Sequence, residues 1–162
     1  MEKTPGKPII HNKQSALAKA ESYCAYQERS QQEVRNKLYE WGLKTNDVEE
    51  VISELISGNF LNEERFARAY VSGKFNIKHW GKIKIKQGLK LKRVPDRMIV
   101  NALNTIDHDD YLKVILTVAE KKSALLTEKD AYKRKYKLTA YLLGKGFESN
   151  LISEVLNSNN LS

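Results

Sequence analysis

The chain has 162 residues, 41% hydrophobic and 30% charged, with only 8 Gly and 3 Pro, a composition that argues against a disordered chain and against a turn-rich all-β protein. Its 28 Lys and Arg against 20 Asp and Glu leave a formal charge of +8 and point to an anionic partner, while the single cysteine, Cys24, excludes an intrachain disulfide and a cysteine-based zinc site. No apolar run approaches the roughly 18 residues of a membrane-spanning helix, so a helical cytoplasmic protein without a membrane segment is expected.

Residues 1–14, with Pro5, Gly6 and Pro8, read as a flexible tail. A first helix is expected from about Ser15 to Gln27, where Cys24 follows Leu17 and Ala20 at helical spacing and reads as a small core residue. Ser30 and Glu33 form a capping box that opens a helix from Gln31 to Trp41, which Gly42 ends. Asn46, with Glu49 reaching back, predicts the start of a third helix running from Asp47 to Ser57. Asn62-Glu63-Glu64 then opens a helix whose Phe66, Ala69, Tyr70, Gly73 and Ile77 form an apolar stripe, closed by Trp80-Gly81. Pro95 stands where a first helical residue is expected, Thr127 to Asp130 is an acidic helix start, and Ser149 is placed to cap the last helix.

One pattern recurs three times. Gly42-Leu43, Val48, Val51-Ile52 returns as Arg93-Val94, Ile99, Ala102-Leu103 and again as Gly146-Phe147, Ile152, Val155-Leu156. In each copy a turn is followed by apolar residues that share one face of a short helix. Each turn leaves room upstream for two further helices. A unit of this length buries too little surface to be stable alone, so the expected fold is all-α, three tandem three-helix, helix-turn-helix-like repeats stacked in a curved, elongated row. The expected boundaries are a tail over 1–14, repeats over 15–58, 59–106 and 107–157, and a tail over 158–162.

The positive charge is concentrated. From Arg65 to Arg97 there are 11 basic residues and only Asp96 to oppose them, whereas Ser15 to Ser57 is acidic. Lys82, Lys86 and Lys90 are spaced i, i+4, i+8 and would stand in a row along one helix face, where each like-charged pair disfavours the helix by roughly 0.2–0.5 kcal/mol. Lys84, Lys92 and Arg93 are expected to thicken the row, and Arg65, Arg68, Lys74 and Lys78 are further candidates for nucleic-acid or filament contact. Lysine-rich helix faces are ordinarily solvated surface. The near absence of acids here argues instead for a nucleic-acid phosphate or acidic groove. Among the interleaved aromatics, Tyr70 and Trp80 fall near the apolar stripe and read as packing residues, while Phe75 lies off it and is the candidate for an exposed stacking contact.

Nothing in the chain reads as catalytic machinery. His11, His79 and His108 share no metal-ligand spacing, and Gly42, Gly81 and Gly146 occur singly, with no phosphate-binding loop. No catalytic residue, cofactor or metal is expected.

Two strings then carry a family likeness. Gly58-Asn59-Phe60-Leu61-Asn62-Glu63-Glu64-Arg65-Phe66-Ala67, and Arg29-Ser30 followed by Glu33-Val34 and Lys37-Leu38, together with Gly81 and the triple repeat, resemble the RecX family from Ser15 to Leu156. The resemblance implies a non-enzymatic regulator, expected to be monomeric, that binds the RecA recombinase and its DNA filament and modulates, usually negatively, its recombinase and coprotease activities. The second repeat departs from the family pattern in having Gly88 and Arg93 where an acidic residue and a turn glycine are usual, which tilts the expectation towards direct contact with single- or double-stranded DNA. The competing readings are a RecA-independent DNA- or RNA-binding helical module and a helical-repeat adaptor for an unrelated protein.

Overall fold

The computed structural model describes residues 12–161, so the expected tail lies outside the described residues up to position 11, as does Ser162. Among the described residues there are nine helices and no strand: α1 (Lys13–Tyr26), α2 (Gln31–Glu40), α3 (Thr45–Ser57), α4 (Glu63–Asn76), α5 (Lys82–Leu91), α6 (Asp96–Leu103), α7 (His108–Leu125), α8 (Ala131–Gly144) and α9 (Ser149–Ser158). By packing they fall into two compact units, one running to Ala67 together with Lys92–Val94, the other comprising Arg68–Leu91 and the chain from Pro95 onward.

In the first unit, Ala16, Ala20 and Cys24 of α1 meet Val34 and Leu38 of α2 and Val48, Val51, Ile52 and Leu55 of α3 in one buried cluster. Ser30 and Glu33 form the expected capping box, each side chain bonding the other's backbone N–H at 3.0 Å. Burial pushes the Cys24 thiol above its ordinary value, as befits a core residue. Helix α3 begins two residues before the expected start, at Thr45, and Lys44 at its N-cap makes no side-chain cap. Asn46 is therefore not the cap, and Glu49 instead takes the Arg35 guanidinium at 2.7 Å.

The recurring pattern is the packing motif itself. Leu43, Val48, Val51 and Ile52, then Val94, Ile99 and Ala102, then Phe147, Ile152, Val155 and Leu156 are all buried. The preceding turn residue is left-handed each time, with φ of 93° at Gly42, 57° at Arg93 and 95° at Gly146. Arg93 thus adopts the conformation that glycine supplies in the other two copies, and the departure from the family pattern leaves the turn intact.

The second unit is built around Tyr111 of α7, which is fully buried between Phe75 at 5.8 Å and Phe147 at 5.7 Å. Its hydroxyl accepts the Lys82 N–H at 2.9 Å and donates to the Glu148 carboxylate at 2.8 Å, joining the first residue of α5 to the residue preceding α9. Glu148, not Ser149, occupies the N-cap of α9. Pro95 likewise stands at the N-cap of α6 rather than inside it.

Of the stripe expected on α4, only Phe66 is buried. Phe66, Ala67, Val71 and Phe75 are buried, whereas Ala69 is exposed, Ile77 is 74% exposed, and Tyr70 and Gly73 are only partly covered. Both sets share Phe66 and have helical spacing, and beyond it Val71 and Phe75 are the ones buried, Phe75 with its ring on Tyr111.

Candidate nucleic-acid interface

Two of the ten cations selected from the sequence are tied into the first unit. The Arg65 guanidinium binds the Glu28 carboxylate at 2.5 Å and the Asn59 and Phe60 carbonyls, which makes it a clamp on the α3–α4 turn. Lys92 forms an ion pair with Glu33, the acid of the α2 capping box. Neither is an unopposed cation. Arg93, at the left-handed turn, is exposed.

The other seven, Arg68, Lys74, Lys78, Lys82, Lys84, Lys86 and Lys90, belong to the second unit and make no carboxylate ion pair among the described residues. They do not form one band. Lys86 and Lys90 project from the outer side of α5 and are exposed, with Ile85 and Leu89 on the buried side. Lys82, the first of the row, stands at the margin of the core with its ammonium 5.0 Å above the Tyr111 ring. Lys84 lies about 200° around the helix from Lys82, so it does not thicken the row. Its ammonium instead sits 4.3 Å over the Trp80 ring, and the Lys74 ammonium sits 4.6 Å from the same ring. Such contacts draw on the negative face of the indole, and here two cations share one ring.

Phe75 is not an exposed stacking residue, because only 5% of it is accessible and its ring packs on Tyr111. Lying off the expected stripe made it look exposed; the burial of the other face reverses that inference. The rest of the stripe expected to be core, Ala69, Tyr70, Gly73 and Ile77, lines a shallow groove with Lys74 and Lys78.

Glycine sets how closely α5 approaches its neighbours. A Cβ on Gly88 would stand 2.1 Å from the Tyr70 hydroxyl, and one on Gly81 would stand 2.2 Å from the Gly146 backbone. Gly88 is thus a point of contact between α4 and α5. At Gly81 two backbones touch, and the Gly81 and Ile83 N–H groups donate to the Lys145 and Gly146 carbonyls at 2.8 and 3.0 Å.

That contact brings in a cation absent from the sequence-based set. Lys145, at the C-cap of α8, donates from its Nζ to the Lys78 carbonyl at 2.9 Å. Burial first, then the neighbouring Lys84 and Lys78 charges, hold its ammonium below the usual lysine range. Sixty-seven residues separate Lys145 from Lys78 in the chain, and no local pattern joins them. Among the described residues no group of three or more His, Cys, Asp or Glu side chains is arranged to hold a metal ion, and no helix is long and apolar enough to cross a membrane.

Family models match most of the chain in three consecutive segments, described as the first, second and third three-helix domains of RecX and covering residues 16–55, 62–103 and 109–156. The chain is 32% identical over 150 residues to the regulatory protein RecX of Clostridium perfringens, covering 91% of this chain and 68% of that protein. It is 33% identical over 141 residues to the regulatory protein RecX of Prosthecochloris aestuarii, covering 87% and 91%. The crystal structure of RecX from Lactobacillus salivarius superposes with a TM-score of 0.85 at 25% identity, over 93% of this chain and 97% of that one. A second RecX crystal structure, at 23% identity and a TM-score of 0.79 over 90% of this chain and 73% of that one, shares the fold. With three tandem domain matches and relatives above 30% identity across nearly its whole length, this chain belongs to the RecX family.

Proposed function

We propose that this chain regulates the RecA recombinase by binding RecA and its nucleoprotein filament, restraining recombinase and coprotease activity while cations of its second unit meet the phosphates of the filament's DNA. It does so as a cytoplasmic monomer, by binding alone, with no cofactor or metal. Two lines support this reading. The relatives carry the name of regulatory proteins. The observation that carries it is the set of seven second-unit cations without a carboxylate partner among the described residues. Uncompensated charge repels itself and is a cost in the free protein, recovered when counterions leave a phosphate backbone that the lysines neutralise.

The same charge also favours the second reading, a module that binds DNA or RNA without RecA. Binding of the chain to RecA, to single-stranded DNA and to the RecA filament, measured side by side, separates the two. The proposal requires tighter binding to the filament than to bare DNA, and equal affinity for both would favour the RecA-independent module. The double substitution Lys86→Glu, Lys90→Glu changes two exposed side chains that form no ion pair, so the helical spectrum stays and DNA-dependent binding falls. Undiminished binding by that variant would return Lys86 and Lys90 to ordinary solvated surface.

A further inference from the structure

We infer that Lys145 joins Lys78 and Lys84 in a seat for a nucleic-acid phosphodiester, so that the third RecX domain takes part in gripping the polyanion. The inference rests on the DNA-contact part of the function proposed above and adds a residue outside the basic segment.

The seat is assembled by backbone contact. Gly81 and Gly146 approach so closely that neither tolerates a side chain, since a Cβ on Gly146 would stand 2.4 Å from the Lys84 Cβ. The Lys145 and Gly146 carbonyls accept the Gly81 and Ile83 N–H groups, and the Tyr111 hydroxyl accepts that of Lys82, so the start of α5 is fixed against the end of α8. The turn between α4 and α5 is equally set, with His79 left-handed at φ 55° and the Trp80 N–H donating to the Lys74 carbonyl at 2.9 Å. These bonds occupy the N–H groups at the α5 start, so an anion arriving here is held by ammonium groups and not by the helix terminus.

Two ammonium groups are thereby placed, that of Lys145 on the Lys78 carbonyl and that of Lys84 over Trp80, and Lys78 itself is exposed; none of the three makes a carboxylate ion pair among the described residues. Lys145 spends one donor on the Lys78 carbonyl and keeps two. Lys84 rests over Trp80, a ring that Lys74 also approaches, and an incoming phosphate can replace this contact with a stronger charge-assisted one. A purely structural cap on the Lys78 carbonyl would be served as well by a neutral donor, without placing a third charge beside two others. The chemical class that answers a cluster of cations lacking acids is a phosphodiester oxygen.

The test is the salt dependence of binding to single-stranded and duplex oligonucleotides in the absence of RecA. Removing one phosphate contact flattens the log–log salt slope by about 0.7 on single strands and about 0.9 on duplex. Lys145→Gln keeps a donor for the Lys78 carbonyl and removes the charge; it should flatten the slope by that amount and weaken binding on the order of tenfold at low salt. Lys145→Arg should restore both, and Lys121→Gln, an exposed lysine of α7, should change neither. The inference is overturned if Lys145→Gln binds with the wild-type slope while Lys86→Glu, Lys90→Glu loses affinity, a result that leaves the proposed function standing. Absence of wild-type binding both to DNA and to the RecA filament overturns inference and proposed function together. A slope change with Lys145→Gln alongside no effect of the chain on RecA sustains the phosphate seat and removes the RecA reading.

Discussion

The Tyr111 hydroxyl bonds the start of α5 and the residue preceding α9 at once, and Tyr111→Phe isolates it without disturbing the ring. The ring stays packed on Phe75 and Phe147, so no cavity forms. What is lost is the acceptor for the Lys82 N–H at 2.9 Å and the donor to the half-buried Glu148 carboxylate at 2.8 Å. A bond to an ionised partner contributes about 1.5–3 kcal/mol and a neutral one about 1 kcal/mol, with an added penalty where the abandoned group stays out of water. Part of that loss is recovered by water at Glu148. The expected destabilisation is about 2–3 kcal/mol, read as a lower urea midpoint at unchanged slope. A loss below about 0.5 kcal/mol would refute the view that this hydroxyl ties α5 to α9.

The same residue fixes the alkaline limb. Burial, outweighing the Lys82 N–H bond and reinforced by Glu148, raises the Tyr111 phenol well above its ordinary value of 10.0. The unfolded chain therefore loses this proton first, and stability present below pH 10 declines as pH rises above it. In the Tyr111→Phe variant that component of the decline is absent, which a urea titration at pH 9 to 11 measures.

Three further outcomes are expected. Phe75→Ala should cost about 3–5 kcal/mol because the ring is core; a variant that melts like wild type and loses only DNA binding would reinstate Phe75 as a stacking residue. Arg93→Gly should raise stability by about 0.5–1 kcal/mol, the relief of a left-handed non-glycine residue less the greater freedom of glycine in the unfolded chain, and a loss in thermal denaturation would contradict this. Gly81→Ala should cost about 3 kcal/mol, since its Cβ would meet rigid backbone at 2.2 Å, and its melting temperature should fall by about 6–12 °C.

The all-helical class and the recurring turn were legible because both are local. The Ser30–Glu33 box, the left-handed positions 42, 93 and 146 and the buried residues that follow them depend on spacing over a few residues. Cap positions slipped where a side chain found a distant partner: Glu49 turned to Arg35, and Glu148 to Tyr111. The core face of α4 was ambiguous because two apolar stripes ran along the same helix, and only packing against Tyr111 chose Phe75 over Ile77. The basic segment was visible as composition. Which cations are opposed was not, since Glu28 and Glu33 reach Arg65 and Lys92 across 37 and 59 residues. Lys145 was out of reach for the same reason, and the departure at Gly88 gained its explanation only from Tyr70.

The measurement that bears most directly on the proposed function is ATP turnover by RecA on single-stranded DNA as the chain is titrated in. The wild-type protein should depress turnover to a plateau near stoichiometric binding, and Lys86→Glu, Lys90→Glu should shift that titration to much higher protein concentration. Turnover that stays unchanged at saturating wild-type protein would contradict it.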